Sequence, residues 1–515
     1  MTEREWREAS DMRRPQLLLA AIIAVAAGLR FWALGTGIPH SPGVDEPELM
    51  ERAVQMMRTG DFNPHFFDYP GFYIHLQLVV ATLRFLAGAT SGEWTSLNQV
   101  GSADFYLWGR ALTALLGTAT VLLLYQAGQR WGTRCAALGA GLLAVMPLHV
   151  RESHFVLTDV PVTFFVTLAF VLSLRAHEVE RASAFALAGA AAGVAAATKY
   201  PGGLAVLLPL VAAWMTLRVR PSRIAACLAA LGGTIAAFFL AAPYTILDLP
   251  GFLNGYARLA GYYSGSPPAD PVWAVYLKHL RNALHWPAAL LVIAGLLLGT
   301  VRAIRGPGRV RWTLAVLFPL VFFWLVSRHT LVFARYLMPM IPFVCILAAA
   351  AVVSGVSLLR RFDIPRAPRT ALIATLTVAA VLPPAMQAIG WNMMVSRTRT
   401  VDQAFNWIVE NVPKGSKIAI ETRELLLAPE SYKTLNVPRL VKDHRSPGEY
   451  NAFLAQGFQY IVASSGGYGT VFEAPHKHPE AYDEYMRLFE QSREVARFAP
   501  SDEHPGPEIR IFALK

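Results

Sequence analysis

Charge is what this sequence has least of. Only 16% of its 515 residues are Asp, Glu, Lys or Arg, where a soluble chain carries about 25%. That scarcity excludes an ordinary soluble enzyme, and the high apolar content excludes a disordered chain. Acidic residues are fewer than basic ones, 35 against 46, for a net charge of +11. The basic excess does not point to nucleic acid. Its arginines stand in short loops between apolar runs, where membrane insertion places them. Cysteine is nearly absent. Cys135, Cys227 and Cys345 all lie inside apolar runs, which excludes a disulfide framework and a thiolate metal motif. No His-Glu-x-x-His run occurs, and no internal repeat is visible. The stretch Met1–Arg14 is charged and lacks an A-x-A cleavage site, so the first apolar run is expected to be an uncleaved anchor.

What the sequence has instead is apolar length. It is 54% hydrophobic, with a mean hydropathy of +0.38. Several runs reach the roughly 17–25 residues that cross a bilayer core. They are continuous rather than alternating, which excludes a β-barrel. The expected fold class is a polytopic α-helical membrane protein with about 11 transmembrane helices. Their expected positions are Gln16–Leu34, Leu107–Gln129, Cys135–Val150, Asp159–Leu174, Ala184–Thr198, Gly202–Leu217, Ile224–Tyr244, Leu284–Val301, Trp312–Val326, Tyr336–Leu359 and Thr370–Gly390. Arg13 and Arg14 before the first span favour a cytoplasmic N-terminus, with the chain emerging outside near His40.

Tyr69–Ala87 is also apolar. Counting it as a span would turn the basic loops 130–134, 175–181, 218–223, 302–311 and Arg360-Arg361 with 366–369 outward, against the positive-inside rule. It also carries Tyr73, His75, Gln77 and Arg84 and is broken by Pro70-Gly71, which suits an interfacial helix at the outer surface. Two long outer loops are then expected, at 40–108 and 246–283. After Ser396 membrane-length runs stop. Helix-like Val401–Asn411, Pro447–Gln456 and Tyr482–Gln491 alternate with strand-like Lys417–Ile420, Tyr460–Ala463 and Ile509–Ala513. The expected division is a membrane domain over 1–395 and a small extracytoplasmic α/β domain over 396–515.

The ionisable residues gather at outer span ends. Asp45 and Glu46 follow the first span, and Asp68 precedes Tyr69-Pro70. His149, Arg151, Glu152, His154 and Asp159 lie between the third and fourth spans. Lys199 and Tyr200 lie between the fifth and sixth, and Arg328, His329, Arg335 and Tyr336 between the ninth and tenth. Each alone has a plain reading: helix-end charge, turn residue, cap, snorkelling lysine or lipid-phosphate contact. The tyrosines Tyr256, Tyr262 and Tyr263 read equally as an aromatic belt or a sugar platform. Convergence from separate loops is what points to one site, because charge at membrane depth is costly. The acidic half suits a base that takes a proton from an acceptor. The basic half suits a leaving phosphate.

These pieces resemble the GT-C superfamily of integral membrane glycosyltransferases. They are most similar to its protein O-mannosyltransferase and aminoarabinose transferase group, family 39-like. The resemblance rests on Asp45-Glu46 after the first span, Phe67-Asp68-Tyr69-Pro70-Gly71, Gly109-Arg110-Ala111-Leu112, Leu157-Thr158-Asp159, Ala197-Thr198-Lys199-Tyr200-Pro201-Gly202 and Ala334-Arg335-Tyr336-Leu337-Met338-Pro339. It implies an inverting transfer outside the cytoplasmic membrane, from a polyprenyl-phosphate-linked sugar to a protein, lipid or glycan acceptor. It implies Asp45 as the base, with Glu46 and Asp159 as further catalytic acids. Lys199, Arg335, Tyr336 and Arg328 would hold the donor phosphate. Asp68, Tyr69, His154 and Tyr262 would meet the acceptor or sugar. Relatives often carry His-Pro-Pro or Lys-Pro-Pro where this chain has Asp68-Tyr69-Pro70-Gly71. No cofactor is required on this reading, and a divalent cation stays open beside the acidic residues. The rival expectation is a lipid-linked-sugar transporter or flippase, which would place its charges nearer the midplane on repeated halves.

Overall fold

A computed structural model describes residues 3–39, 45–264, 270–359, 365–422, 424–428, 431–437 and 449–514. His40, Gly43, Val44, Arg360, Arg361 and Pro447 lie outside the described residues. The chain forms two compact units, Met1–Leu34 with Asp45–Trp391, and Gly35–Val44 with Asn392–Lys515.

The first unit is helical. It runs through α1 (Glu3–Phe31), α2 (Glu46–Thr59), α3 (Phe72–Thr90), α4 (Tyr106–Gly128), α5 (Thr133–Ala144), α6 (Pro147–Glu152), α7 (Asp159–Val179) and α8 (Ala182–Thr198). It continues through α9 (Leu207–Thr216), α10 (Arg220–Ala241), α11 (Tyr244–Leu247), α12 (Leu249–Tyr263), α13 (Val272–Arg305), α14 (Arg309–Val326), α15 (Ile341–Leu359) and α16 (Arg366–Val395). Among the described residues, eight helices are long and apolar enough to cross a membrane, and four shorter apolar helices accompany them. The helix Phe72–Thr90 is one of the eight. Length and mean hydropathy therefore do not separate it from a span, and the interfacial reading rests on loop charge and on the polar residues it carries. The loop expected at 246–283 is largely helical, with a break at His285 (φ 58°) before the apolar part of α13.

Small residues let the helices close up. A Cβ on Gly189 would meet the Ala230 carbonyl, and one on Gly193 the Thr234 carbonyl. The Thr234 hydroxyl donates to the Gly189 carbonyl at 3.0 Å across the same α8–α10 contact. Such contacts replace the hydrophobic effect as glue inside a bilayer. Two junctions matter for the site. After α8 the chain winds as a 3-10 turn over Tyr200–Val206, and before α15 as another over Ala334–Met340. Pro201 and Pro339 lie in these turns, where a missing N–H breaks the regular ladder. Lys199 and Arg335 stand where the two turns begin.

The second unit holds α17 (Thr400–Asn411), β1 (Lys417–Ile420), β2 (Lys433–Asn436), α18 (Glu449–Ala455), β3 (Tyr460–Ser464), α19 (Ser465–Glu473), α20 (Pro479–Gln491), β4 (Arg493–Phe498) and β5 (Ile509–Ala513). The sheet order is β2-β1-β3-β5-β4. The β1 pairings are parallel, and β5 pairs antiparallel with β3 and β4. Alternation along the strands sends Ile461, Ala463 and Phe512 to one core and Ile418, Val462 and Ile511 to the other. The three expected strands and three expected helices are all present. The additions are β2, α19 and β4.

Candidate active site

The adjacent acids Asp45 and Glu46 part company at the start of α2. Gly60 ends that helix in the left-handed conformation (φ 72°), which only glycine adopts without strain. Glu46 is its first residue and is fully buried. Its Oε1 and Oε2 accept from Nε and Nη2 of Arg110 on α4, each at 2.7 Å. Oε1 also accepts from the Val156 amide at 2.9 Å, and Arg110 donates to the Leu34 carbonyl at 2.9 Å. One bidentate pair thus ties α2 to α4, to the segment after α6 and to the end of the first helical stretch. Asp45 makes no capping bond. Its side chain, about a quarter exposed, pairs through Oδ2 with Arg335 Nη2 at 2.8 Å and accepts from the Tyr69 hydroxyl at 3.0 Å.

From Asp45 the charges alternate in a chain. Arg335 Nε lies 3.7 Å from Asp159 Oδ2, and Asp159 Oδ1 lies 2.6 Å from Lys199 Nζ. The Lys199 ammonium sits 4.7 Å from the Tyr336 ring centre and 5.8 Å from that of Tyr69, a cation–π arrangement on both. Burial, and then the Asp45 charge, push the Tyr69 phenol well above its usual range. It therefore stays a donor to Asp45. Beside Lys199 is a cavity of about 20 Å³, lined among others by Asp159, Tyr263, His329 and Tyr336. Among the described residues, His329 Nδ1 in its wall and Arg335 Nε beside Asp159 are buried without a hydrogen-bond partner. Burial, and then Lys199, hold His329 below the ordinary imidazole range, so it is neutral at pH 7. Glu152 is buried against Arg151 at 2.5 Å. Burial raises its carboxyl above the usual range, and the charge of Asp159 adds to the rise.

Of the residues expected from the sequence, the structure joins Asp45, Tyr69, Asp159, Lys199, Arg335 and Tyr336 into this one network. The other expected residues stand apart from it. Glu46 is paired with Arg110. Asp68 forms an ion pair with Arg258 at 2.6 Å. The His154 ring nitrogens lie 2.8 Å from the carbonyls of Val150 and Trp32, and its ring abuts Trp391. That is a scaffold contact rather than a sugar contact. Arg328 is exposed over the Trp324 ring, and Tyr262 is 56% exposed. Their neighbours His329 and Tyr263 face the cavity instead. The gathering of Arg328, His329, Arg335 and Tyr336 between two spans was a visible signal, but it did not say which neighbour points inward. Among the described residues, no three His, Cys, Asp or Glu side chains form a group able to hold a metal ion. The acids here are spaced by cations.

A family model described as dolichyl-phosphate-mannose-protein mannosyltransferase matches residues 54–246. That range contains Asp159 and Lys199 and excludes Asp45 and Arg335. No curated protein sequence matches the chain. Among solved structures, ArnT from Cupriavidus metallidurans bound to undecaprenyl phosphate is similar at 17% identity and a TM-score of 0.53, over 96% of this chain and 97% of that one. The oligosaccharyltransferase AglB from Archaeoglobus fulgidus, in complex with an inhibitory peptide and a dolichol-phosphate, is similar at 11% identity and a TM-score of 0.56. That match covers 88% of this chain and 70% of that one. The fold is that of the GT-C superfamily, and with the family match it supports a membrane glycosyltransferase.

Proposed function

We propose that this protein moves a sugar from a polyprenyl-phosphate-linked donor to a protein, lipid or glycan acceptor at the outer face of the cytoplasmic membrane. Asp45 is the general base. The observation that carries this reading is the alternating chain Asp45–Arg335–Asp159–Lys199 beside a cavity that Asp159 and Lys199 line. The undecaprenyl phosphate and dolichol-phosphate bound by the two structural relatives support a polyprenyl phosphate as the matching ligand.

The chemistry follows from charge. A sugar phosphodiester enters with one negative charge, and its phosphate competes with Asp45 and Asp159 for Arg335 and Lys199. As the phosphate takes the cations, Asp45 is released from its ion pair and keeps only the Tyr69 hydrogen bond. The freed carboxylate then accepts the proton of the acceptor hydroxyl or amine. The acceptor atom bonds to the anomeric carbon as the bond from that carbon to the phosphate oxygen breaks, with inversion. The leaving polyprenyl phosphate carries away the electron pair and gains negative charge. Lys199 and Arg335 therefore bind it more strongly than the donor, which is the differential that accelerates the step. Asp159 keeps both cations in place, a positioning role. Glu46 fixes the start of α2 and hence the reach of Asp45.

Purified Asp45→Asn protein should bind polyprenyl phosphate as wild type does and lose about 10²–10⁴-fold in transfer rate, the usual contribution of a general base. Transfer at the wild-type rate would sink the assignment.

A further inference from the structure

The bundle has a second cavity, at the opposite ends of the helices that frame the site. It measures about 540 Å³. Ile22 of α1, Leu138 and Gly141 of α5, Val353 of α15 and Val381 of α16 are among its walls. The far ends of these helices lead to the site. Arg30 of α1 contacts His149 at 3.0 Å, α5 runs into α6, α15 follows Arg335, and Trp391 of α16 abuts His154. The groove thus lies at the ends of these helices away from the site. Its wall is apolar apart from a few hydroxyls, and its polar end is the first turn of α5, where Thr133 and Arg134 line it. Arg134 is exposed and has no ion-pair partner among the described residues. The α5 N-terminus has no side-chain cap, so its free amides and dipole add to the attraction for an anion.

From this apolar slot with Arg134 at its mouth, we infer that the groove holds an anionic glycerophospholipid. One acyl chain lies between α1, α5, α15 and α16, with the lipid phosphate on Arg134. Loop charge makes this the cytoplasmic leaflet, where anionic lipids meet juxtamembrane arginines. Glycine at 141 leaves the slot open: a Cβ there meets nothing within 4 Å. The inference is independent of the transfer reaction and survives if Asp45 proves not to be the base.

Native mass spectrometry of the full-length protein, equilibrated with equal amounts of phosphatidylglycerol and phosphatidylcholine, tests it. Wild type should retain one phosphatidylglycerol in preference to phosphatidylcholine. Arg134→Gln should bind phosphatidylglycerol roughly fivefold more weakly, the effect of one arginine near a lipid surface. Gly141→Leu, which fills the slot, should lose the bound lipid altogether. Equal retention of the two lipids, or wild-type retention by Arg134→Gln, overturns the inference. So does displacement of the phosphatidylglycerol by added polyprenyl phosphate, which would make the groove a carrier site. If Gly141→Leu fails to fold, the Arg134→Gln and two-lipid comparisons still decide.

Discussion

Glu46 and Asp45 are neighbours in the chain, yet the regions they enter differ in how completely charge is satisfied. Glu46 is fully buried, and both its carboxylate oxygens are taken by a planar guanidinium. Around Asp45 the carboxylate is partly exposed, its cation is shared with a second acid, and among the described residues Arg335 Nε has no hydrogen-bond acceptor. A closed pair holds a fold together and resists exchange. An open network of alternating charges can trade one of its own anions for a ligand's. Two identical-looking carboxylates thus separate into scaffold and site by the completeness of their partners rather than by residue type.

The sharpest way to break this comparison is to attack its closed side. Glu46→Gln leaves Arg110 buried with an uncharged partner and should cost about 3–5 kcal/mol in stability, read as a large fall in the thermal midpoint in detergent. Replacing both partners, Glu46→Met with Arg110→Met, should recover much of that loss, because no charge is left stranded. If Glu46→Gln keeps wild-type stability and loses only activity, Glu46 is a reacting group and the distinction fails. On the open side, Arg335→Met should retain the fold. It should weaken polyprenyl-phosphate binding by about 100-fold, the worth of a charge-assisted hydrogen bond in a dry site. Unchanged affinity by calorimetry would remove Arg335 from the donor site.

Much of this was legible beforehand. Apolar run length led to the helical membrane class, and the strand-like runs Lys417–Ile420, Tyr460–Ala463 and Ile509–Ala513 are strands of one sheet. The strand Lys433–Asn436 was not legible, because it lies exposed at a sheet edge and carries no alternating pattern. Collection of charge at span ends pointed to the network that the structure joins, since bilayer physics leaves few other reasons for it. Orientation within short connections was invisible. Tyr262 and Tyr263 carry the same chemistry, and Arg328 more charge than His329, yet Tyr263 and His329 face the cavity. The direction is set by tertiary contacts such as the Thr330 amide donating to the Tyr263 carbonyl. Glu46 looked like half of a catalytic pair because its partner, Arg110, lies 64 positions away.

Tyr69 sharpens the comparison on its open side, with the smallest expected effect. Asp45 is shared between Arg335 and Tyr69, and in the proposed reaction the phenol is its remaining partner once donor phosphate takes Arg335. Tyr69→Phe should therefore leave stability nearly unchanged and lower the transfer rate by about tenfold, close to one hydrogen bond to a charged group. Burial and the nearby carboxylate hold the phenol well above its ordinary range, so it stays protonated wherever the enzyme is assayed. The ratio of wild-type to Tyr69→Phe rates should then be flat from about pH 6 to about pH 9, below the ordinary tyrosine range. A ratio that shrinks toward one as pH rises would mean the phenol ionises there. The open network would then be wetter than its geometry implies, and Asp45 would depend on solvent rather than on Tyr69 for its orientation.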